Sequence, residues 1–461
     1  MRRRNALAAL ALIAVAALHF LSVPRTIWEY DESLFAYGVE RYQPLAHHPP
    51  PPGYPLYMAF AKLMPGEPFD ALIATSIVGL LAGLCTWFAA FRSIQHVILS
   101  PAEGEGPSTA PLDANAKRRI APDIGALVAT TLLYSSPALL MSGTLPQSDS
   151  GALALFGLAA WACARTFRAE NEIRAAILAA IVCAATIGWR LQFSIAIAPM
   201  FLTAVLLLRT WRARVVAVSV FGVACLAWFA PLVVATGGPQ PYWRWLSGQA
   251  AYYAAHDADL SRSGQSASFI ALRFIAHPWG PKLLALPLLV FAAVGVIRMW
   301  VARRNAASRN VMRARLCGVP LMAGCFVYLG FALWSMDPAD AVRYAIPSLP
   351  IVALLAAMGA TRVPLLAIVY VAGAYWYASP VLRMRATTAA PPTAAAEWIK
   401  ANAPRDTVVL FEMPLGPQAS YLLREYKSMR IDAGLAQYGG TTTPLVLYAD
   451  GERGNASGVT F

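Results

Sequence analysis

Side chains that could do chemistry are concentrated in one early stretch, WEYDESLFAYGVERYQPLAHHPPPPGYPLY, which begins at Trp28. Asp31 and Glu32 form an acidic pair a few residues beyond the first apolar segment, and His47 and His48 precede a run of four prolines. A carboxylate can accept the proton of a hydroxyl group during a reaction. Because carboxylates beside a membrane are costly, an acidic pair at the end of an apolar segment indicates a functional site. The alternative is a solvated loop whose acids only keep it out of the bilayer.

Three further charged residues lie between apolar segments: Asp149 in TLPQSDSG, Arg190 in IGWRLQFS and Arg343 in ADAVRYAIPSLP. Asp149 is either a site residue or a cap of the helix that follows it. An arginine at this level needs a counter-anion or a route to the surface, so both arginines are candidates for binding an anion. The alternative for Arg343 is a structural ion pair with Asp337 or Asp340 of the same turn.

Membrane helices must position these residues. Of the 461 residues, 58% are hydrophobic and 13% are charged, whereas a soluble domain carries about 25% charged residues. The composition therefore predicts an all-α polytopic membrane protein with about 11 transmembrane helices. The apolar segments that we interpret as spans are 6–23, 71–90, 124–141, 152–164, 175–188, 193–208, 215–235, 283–297, 316–334, 345–360 and 363–379.

The distribution of Lys and Arg predicts the orientation of these spans. With Met1 placed in the cytoplasm, the internal loops contain 20 Lys and Arg residues and the external loops contain 9, with 8 more in the C-terminal tail. This bias orients membrane helices and explains the net charge of +13 without a nucleic-acid partner. We therefore expect a multi-pass protein of the cell (inner or plasma) membrane, with a cytoplasmic N-terminus. The first loop and the C-terminal tail then lie on the outer side.

The first outer loop, residues 24–68, is expected to contain two short helices in the membrane interface. The pattern over Asp31–Tyr42 is amphipathic and places Glu32 on the polar face. Pro49–Pro52 predict an extended polyproline strut, and Tyr54–Leu63 predict a second interfacial helix. Two surface helices joined by a strut would cover an outward-facing cavity.

The composition changes after residue 380. TAAAEWIKANAP predicts a helix, TVVLFE a strand, PQASYLLREYK a second helix and PLVLYAD a second strand. The chain is therefore expected to divide into a transmembrane domain, residues 1–380, and a small soluble α/β extracytoplasmic domain, residues 381–461.

Two motifs of the first loop, WEYDESLFAYGV and HHPPPPGYPLY, resemble the first outer loop of GT-C class membrane glycosyltransferases. The groups that they resemble most are the protein O-mannosyltransferases and the lipid A aminoarabinose transferases. ADAVRYAIPSLP is similar to a late Arg-Tyr-x-x-Pro motif found in many members. The resemblance implies that residues 1–380 are a GT-C-like domain with residues 24–68 as its catalytic loop. It also implies an inverting transfer of a sugar from a polyprenyl-phosphate donor to an outer-side acceptor.

The resemblance also implies roles for individual residues. Asp31 would be the general base, and Glu32 would orient the site. The cations that neutralise the leaving phosphate would be Arg343, Arg190 and His48, the last standing where several relatives carry a lysine. The residues that we place in the substrate pocket are His47, Tyr54, Tyr57, Asp149 and Tyr344.

The expected partners are a polyprenyl-phosphate sugar, membrane lipids and an acceptor that is a lipid, a glycan or a protein. No cofactor is expected to be required, because the first loop lacks the pair of aspartates spaced by one residue seen in metal-dependent oligosaccharyl transferases. A bound divalent cation is left open. Two alternative functions also stay open: a polytopic lipid or sugar transporter, and a ligase or polymerase of lipid-linked glycans.

Overall fold

The computed structural model describes residues 2–99, 112–258, 262, 264–304, 316–360, 365–438 and 441–449. The helices of the first half are α1 Arg2–Phe20, α2 Tyr30–Glu40, α3 Pro55–Ala61, α4 Pro68–Leu99, α5 Leu112–Tyr134, α6 Pro137–Ser142, α7 Asp149–Arg165, α8 Glu172–Trp189, α9 Ser194–Leu206 and α10 Trp211–Ala235. Those that follow, up to the C-terminal region, are α11 Pro239–Tyr252, α12 Ala267–Ile275, α13 Lys282–Arg304, α14 Val319–Ser335, α15 Ala341–Tyr344, α16 Leu349–Gly359 and α17 Leu365–Thr387.

Six segments in the described part of the chain are helical, long and apolar enough to cross a membrane: Pro68–Gln95, Glu172–Trp189, Trp211–Ala235, Lys282–Val301, Leu316–Ser335 and Ala341–Gly359. The chain is therefore a multi-pass membrane protein, as its composition predicts, and the figure of 11 spans stays a prediction. The predicted span 124–141 is broken, since α5 ends at Tyr134 and α6 begins at Pro137. Pro137 disfavours a helical backbone at Ser136, whose hydroxyl instead accepts from the N–H of Leu139.

The bundle is held together by close helix pairs, among them α4 with α7, α8 with α10, and α9 with α14. Glycines permit the α4–α7 approach near the start of α7. A Cβ atom at Gly79 would lie 2.6 Å from the backbone nitrogen of Gly151, and a Cβ at Gly151 would lie 2.2 Å from the ring of Trp189. Small residues are the usual means of bringing membrane helices into contact. This contact fixes the first turn of α7, which carries Asp149.

The first loop contains the two short helices that the sequence predicts, as α2 and α3. The amphipathic interpretation of α2 is wrong at its polar face, because Glu32 and Ser33 are fully buried. The reason is that α2 is covered on both sides, by α4 and α3 of the bundle and by a helix of the C-terminal region. The expected extended strut is also wrong: Pro51 and Pro52 form a turn, in which the backbone N–H of Gly53 donates to the carbonyl of Pro50 at 3.0 Å.

The C-terminal region consists of α18 Pro391–Asn402, β1 Val408–Phe411, α19 Gly416–Leu422, β2 Lys427–Arg430, α20 Ile431–Tyr438 and β3 Leu445–Tyr448. Its strands form a parallel sheet of order β2-β1-β3, in which Val408 pairs with Lys427 on one side and with Leu445 on the other. Both predicted strands are present. The expected helix up to Lys427 is wrong in its last five residues: α19 ends at Leu422, residues 423–426 form a turn and bend, and Lys427 begins β2, an edge strand of the sheet.

The C-terminal region has a hydrophobic core of its own, formed by residues such as Ile399, Val409 and Leu423. Helix α17 continues through the predicted boundary at residues 380 and 381 to Thr387. The division into residues 1–380 and 381–461 stays a prediction, and residues 450–461 lie outside the described part of the chain.

Candidate active site

Four charged residues that are far apart in the sequence meet at the end of the bundle that carries α2. Asp31 and Arg343 are joined by a contact of 3.3 Å, Arg343 and Asp149 by one of 3.2 Å, and Asp149 and Arg190 by one of 2.6 Å. Asp31 belongs to α2 and Arg343 to α15, whereas Asp149 begins α7 and Arg190 directly follows α8. The result is a continuous line of alternating charge with Asp149 between the two arginines.

One end of this line is buried. The side chains of Arg190 and Asp149 are 5% and 3% exposed, and Arg190 also donates to Ser148 at 3.1 Å and to Gln192 at 2.9 Å. The alternative interpretation of Asp149 as a helix cap is wrong, because Asp149 is the first residue of α7 and its carboxylate binds arginines. Arg190 was predicted to bind phosphate, and the structure places it behind Asp149. Its predicted role stays a prediction.

The other end of the line is open. Arg343 and Asp31 have side chains that are 24% and 30% exposed, and both line a cavity of about 1520 Å³. The expected alternative partners of Arg343 are wrong: Asp337 instead accepts from the backbone N–H of Ala339, and among the described residues Arg343 pairs with Asp31 and Asp149. The reason is that α15 turns Arg343 toward α2 and α7, away from the preceding turn.

The cavity has walls of several kinds. One wall is the first loop and another is α11. A third wall is formed by the start of α9 and the end of α14. Aromatic side chains cover much of its surface: Tyr30, Tyr54, Trp245, Tyr252, Tyr253, Phe331, Trp334 and Tyr344. A concave site with apolar and aromatic walls and a few convergent charged groups is typical of a binding site for a small molecule or lipid.

Glu32 does not line the cavity and has a different task from Asp31. The N-cap of α2 is Glu29, so Glu32 is the third residue of the helix, and its carboxylate accepts from the backbone N–H of Trp28 at 2.7 Å. The bond ties the first turn of α2 to the residue before its N-cap, much as the acid of a capping box ties the first turn of a helix to the N-cap itself. Burial raises the pKa of Glu32 to about 8, against the opposing effect of the N–H groups of Trp28 and Glu29. Glu32 therefore holds the turn that carries Asp31.

The remaining predicted pocket residues divide into two groups. His47, Tyr54 and Tyr344 line the cavity, whereas Tyr57 is fully buried beside Trp189. His47 and Tyr54 both have left-handed backbones, with φ of 60° and 44°. Such backbones are unusual for residues other than glycine and concentrate at functional sites.

His48 was predicted to contact the donor phosphate, and it does not line the cavity. Its ring stacks on Tyr37 with centroids 4.3 Å apart. Partial burial and the neighbouring His47 lower the pKa of His48, which disfavours the charged form that a phosphate contact would use. The predicted phosphate role of His48 stays a prediction.

Two arginines of the cavity were not singled out from the sequence. Arg244, on α11, is exposed at the cavity, and its guanidinium has no hydrogen bond or ion pair with a described residue. Arg262 also lines the cavity, but it donates to the carbonyl groups of Ala332, Leu333 and Met336 at the end of α14. Arg244 stands in PYWRWLSG, where the surrounding aromatic residues are equally typical of a membrane-interface belt.

The described residues contain no group of three or more His, Cys, Asp or Glu side chains arranged to hold a metal ion. Asp340 lines the cavity near Arg343. Burial raises the pKa of Asp340, while the charge of Arg343 acts in the opposite direction. Asp31 and Asp340 of the cavity therefore both lie within the electrostatic influence of Arg343.

The fold is shared with membrane transferases of known structure. ArnT from Cupriavidus metallidurans bound to undecaprenyl phosphate superimposes with a TM-score of 0.59 at 12% identity, over 98% of this chain and 94% of that chain. The oligosaccharyltransferase AglB from Archaeoglobus fulgidus, in complex with an inhibitory peptide and a dolichol-phosphate, gives 0.53 at 12% identity, over 93% of this chain and 64% of that chain.

No family model and no curated protein sequence matches the chain. Likeness at 12% identity establishes the fold, and the roles of individual residues need their own argument. ArnT and AglB are both GT-C glycosyltransferases. The chain therefore has the fold of GT-C class membrane glycosyltransferases, as its first-loop motifs predict.

Proposed function

We propose that this protein transfers a sugar from a polyprenyl-phosphate donor to an acceptor hydroxyl, with inversion, and that Asp31 is the general base. The observation that carries the proposal is that a carboxylate and a guanidinium, Asp31 and Arg343, pair at 3.3 Å where both reach the cavity. The similar structures support the donor class, since ArnT was solved with undecaprenyl phosphate and AglB with a dolichol-phosphate.

The proposed reaction is a single displacement. Asp31 accepts the proton of the acceptor hydroxyl as that oxygen attacks the anomeric carbon of the sugar. The bond from this carbon to the phosphate oxygen breaks, and the bonding electrons leave with the polyprenyl phosphate. Attack from the face opposite the leaving group inverts the configuration at the anomeric carbon.

Cations must neutralise the phosphate as it leaves. Arg343 offers a planar guanidinium at the cavity, and such a group matches two phosphate oxygens at once. We propose Arg244 as a second phosphate ligand, because it lines the same cavity and has no ion pair with a described residue. Arg190 is assigned a supporting role, since its charge is already matched by Asp149 in the interior.

We further propose the orientation predicted by the Lys and Arg bias, with a cytoplasmic N-terminus and the C-terminal region outside. The cavity then faces the outer side of the cell membrane. A reporter enzyme that is active only outside the membrane, fused after Phe461, should give signal. Silence there, together with signal from a cytoplasmic reporter at the same position, would contradict this orientation.

The catalytic proposal is tested by Asp31→Asn. Envelope lipids, glycans and glycoproteins are compared by mass spectrometry in cells with and without the gene, and the product that disappears is then quantified in complemented cells. Loss of a general base typically costs about 10²- to 10⁴-fold in rate. Asp31→Asn should therefore abolish product, while the purified protein keeps its folded yield and its affinity for undecaprenyl phosphate.

The matched control is Asp340→Asn, a carboxylate on the same cavity that forms no ion pair with a described residue. It should leave the product level within a few-fold of wild type. Near-normal product from cells that carry Asp31→Asn would remove Asp31 from the catalytic role. A gene deletion that changes no lipid, glycan or glycoprotein would contradict the transferase itself and favour transport.

A further inference from the structure

Tyr37 of α2 lies where three parts of the protein meet. Its hydroxyl donates to the carbonyl oxygen of Ser420 in α19 at 2.6 Å. One face of its ring stacks on His48 of the proline loop, with centroids 4.3 Å apart and planes at 20°. The ring also meets Tyr421 edge to face at 4.9 Å. A single side chain thus joins α2, the proline loop and the C-terminal region.

The same contact surface extends along α2 to Glu40, one turn further on, which pairs with Arg424 at 3.1 Å. The Arg424 side chain is 63% exposed and that of Glu40 is 31% exposed, and solvent-accessible pairs of this kind contribute little to stability. Tyr37 differs because it is half-buried and combines a short hydrogen bond with two ring contacts. It is therefore the stronger anchor of the two.

The C-terminal region also holds the chain just ahead of α2. The backbone N–H of Ala390 donates to the hydroxyl of Thr26 at 2.8 Å, and the hydroxyl of Thr393 donates to the carbonyl of Ile27 at 3.2 Å. The helix that carries Asp31 is therefore fastened to this region at both of its ends. Asp31 lies six residues before Tyr37, about 9 Å along the helix axis.

The parts joined by Tyr37 all reach the cavity. Asp31 belongs to α2, His47 and Pro50–Pro52 belong to the proline loop, and Met413 belongs to the C-terminal region, and each of them lines the cavity wall. Arg244 and Arg343, the proposed phosphate ligands, come from other elements, α11 and α15. In an inverting displacement the base and the acceptor lie on one face of the sugar and the phosphate leaves from the other. Since Asp31 is the proposed base, we assign the parts joined by Tyr37 to the acceptor side.

We propose that Tyr37 is a positioning residue that fixes the acceptor side of the cavity by clasping the proline loop and the C-terminal region onto the helix of Asp31. The inference rests on the proposed transferase function. Tyr37 does not line the cavity, so it does not contact the substrate in the proposed reaction. Its loss should impair transfer through the acceptor and leave the donor phosphate site unchanged.

The test compares Tyr37→Phe with Tyr448→Phe. Tyr448 makes the same kind of bond, from its hydroxyl to the carbonyl of Pro392 at 2.8 Å, but within the C-terminal region. Tyr37→Phe should lower the product level in complemented cells about two- to ten-fold, the effect of one hydrogen bond. Folded yield and the affinity of the purified protein for undecaprenyl phosphate should stay at wild-type values. Tyr448→Phe should lower none of the three.

Hydrogen exchange of the purified protein in nanodiscs supplies a readout that does not depend on activity. In Tyr37→Phe, amides of α2 and of the proline loop should exchange faster, because the contacts that hold these segments to the C-terminal region break more often. Tyr37→Leu, which also loses the stack on His48, should show a larger effect on both exchange and product. Tyr448→Phe should exchange in α2 as wild type does.

The outcomes separate the two proposals. Suppose that Asp31→Asn abolishes product while Tyr37→Phe and Tyr37→Leu match wild type in product and exchange. In that case the positioning role of Tyr37 is wrong, and the proposed transferase function is supported. If Asp31→Asn keeps its product, the proposed mechanism is wrong, and so is the positioning role that rests on it. A fall in undecaprenyl phosphate affinity in Tyr37→Phe would also contradict the positioning role, since the residue would then act on the donor side.

Discussion

The buried end and the open end of the charged line are both Asp–Arg ion pairs, but they differ in their exposure to solvent. Asp149 and Arg190 meet at 2.6 Å with side chains at most 5% exposed, whereas Asp31 and Arg343 meet at 3.3 Å with side chains that are 30% and 24% exposed. An ion pair removed from water must be matched fully, because an unpaired charge in the interior is very costly. A pair at a cavity can exchange its partner for a substrate group at much lower cost.

This difference in solvation indicates which residues of the charge network can take part in a reaction. Asp149 contacts both arginines and so ties the open pair to the buried one. The buried pair can fix position, since neither of its members lines the cavity. The open pair can act on a substrate, because both of its members do. Each prediction below changes one side of this comparison.

The largest effect is expected from Asp149→Ala. The substitution leaves Arg190 buried without a counter-charge, and breaking a buried pair typically costs about 3–5 kcal/mol. We expect a severe loss of folded protein, measured as the monodisperse yield in detergent and the melting temperature. Asp149→Ala combined with Arg190→Met removes both charges and should recover much of that yield. Wild-type yield and melting temperature in the single variant would show that the pair is not structural.

The next largest effect is expected from Arg343→Lys. The charge remains but the planar fork is lost, and hydrogen bonds between charged groups contribute about 1.5–3 kcal/mol, or roughly 10- to 100-fold. We expect that loss in affinity for undecaprenyl phosphate and in product formation, with a near-normal folded yield. Asp337→Asn and Asp340→Asn should stay mild in both. If Arg343→Ala and one of these aspartate variants lost equal amounts of folded protein, with unchanged affinity for undecaprenyl phosphate, the phosphate role would be wrong.

A smaller effect, with a characteristic pH dependence, is expected from Glu32→Gln. Glu32 is as buried as Asp149, but its carboxyl group accepts from backbone N–H groups, and burial raises its pKa to about 8 from an ordinary value near 4.5. The folded state therefore holds an extra proton between these values. The stability that this proton provides is complete below about pH 4.5 and is lost as the pH rises through 8.

The measurement is the melting temperature of wild type and Glu32→Gln between pH 5 and pH 8.5. The wild-type value should fall relative to that of Glu32→Gln as the pH rises toward 8. The glutamine is uncharged, keeps an oxygen for the N–H of Trp28, and does not titrate. Parallel curves for the two proteins would show that Glu32 does not titrate in this range.

The smallest effect is expected from Arg430→Gln. Arg430 pairs with Asp432 at 3.0 Å, and both side chains are more than half exposed. Exposed pairs contribute about 0.2–1 kcal/mol. The melting temperature and the product level should stay close to wild type. A loss comparable to that of Asp149→Ala would break the proposed link between burial and the importance of an ion pair.

Much of the site could be predicted from the sequence because charges beside apolar segments are conspicuous. Asp31, Asp149, Arg190 and Arg343 each stand out in this way, and the structure brings all four together. The pairing among them was not predictable. The alternative to a phosphate role for Arg343 was a pair within its own turn, since a sequence shows only local partners, whereas its actual partners, Asp31 and Asp149, lie far away in the chain.

Other residues lacked a distinguishing signal. Arg244 stands among aromatic residues that fit an interface belt, so only its place on the cavity wall marks it as a candidate ligand. Glu32 fitted the polar face of an amphipathic helix, and that face is buried because the C-terminal region packs over α2. Nothing in the sequence distinguishes Tyr37 from the other aromatic residues, and only the structure shows that it lies between the proline loop and α19.

By itself the sequence determined the class of protein, the two-helix first loop and two of the three strands of the C-terminal tail. These follow from hydrophobicity, periodicity and turn residues, which act over a few residues of chain. The tertiary structure alone decided which charges are buried and which face the cavity. Solvation of a side chain depends on every element packed around it, and in this protein those elements come from opposite ends of the chain. Burial makes the Asp149–Arg190 pair part of the scaffold, and exposure leaves the Asp31–Arg343 pair free to meet a substrate.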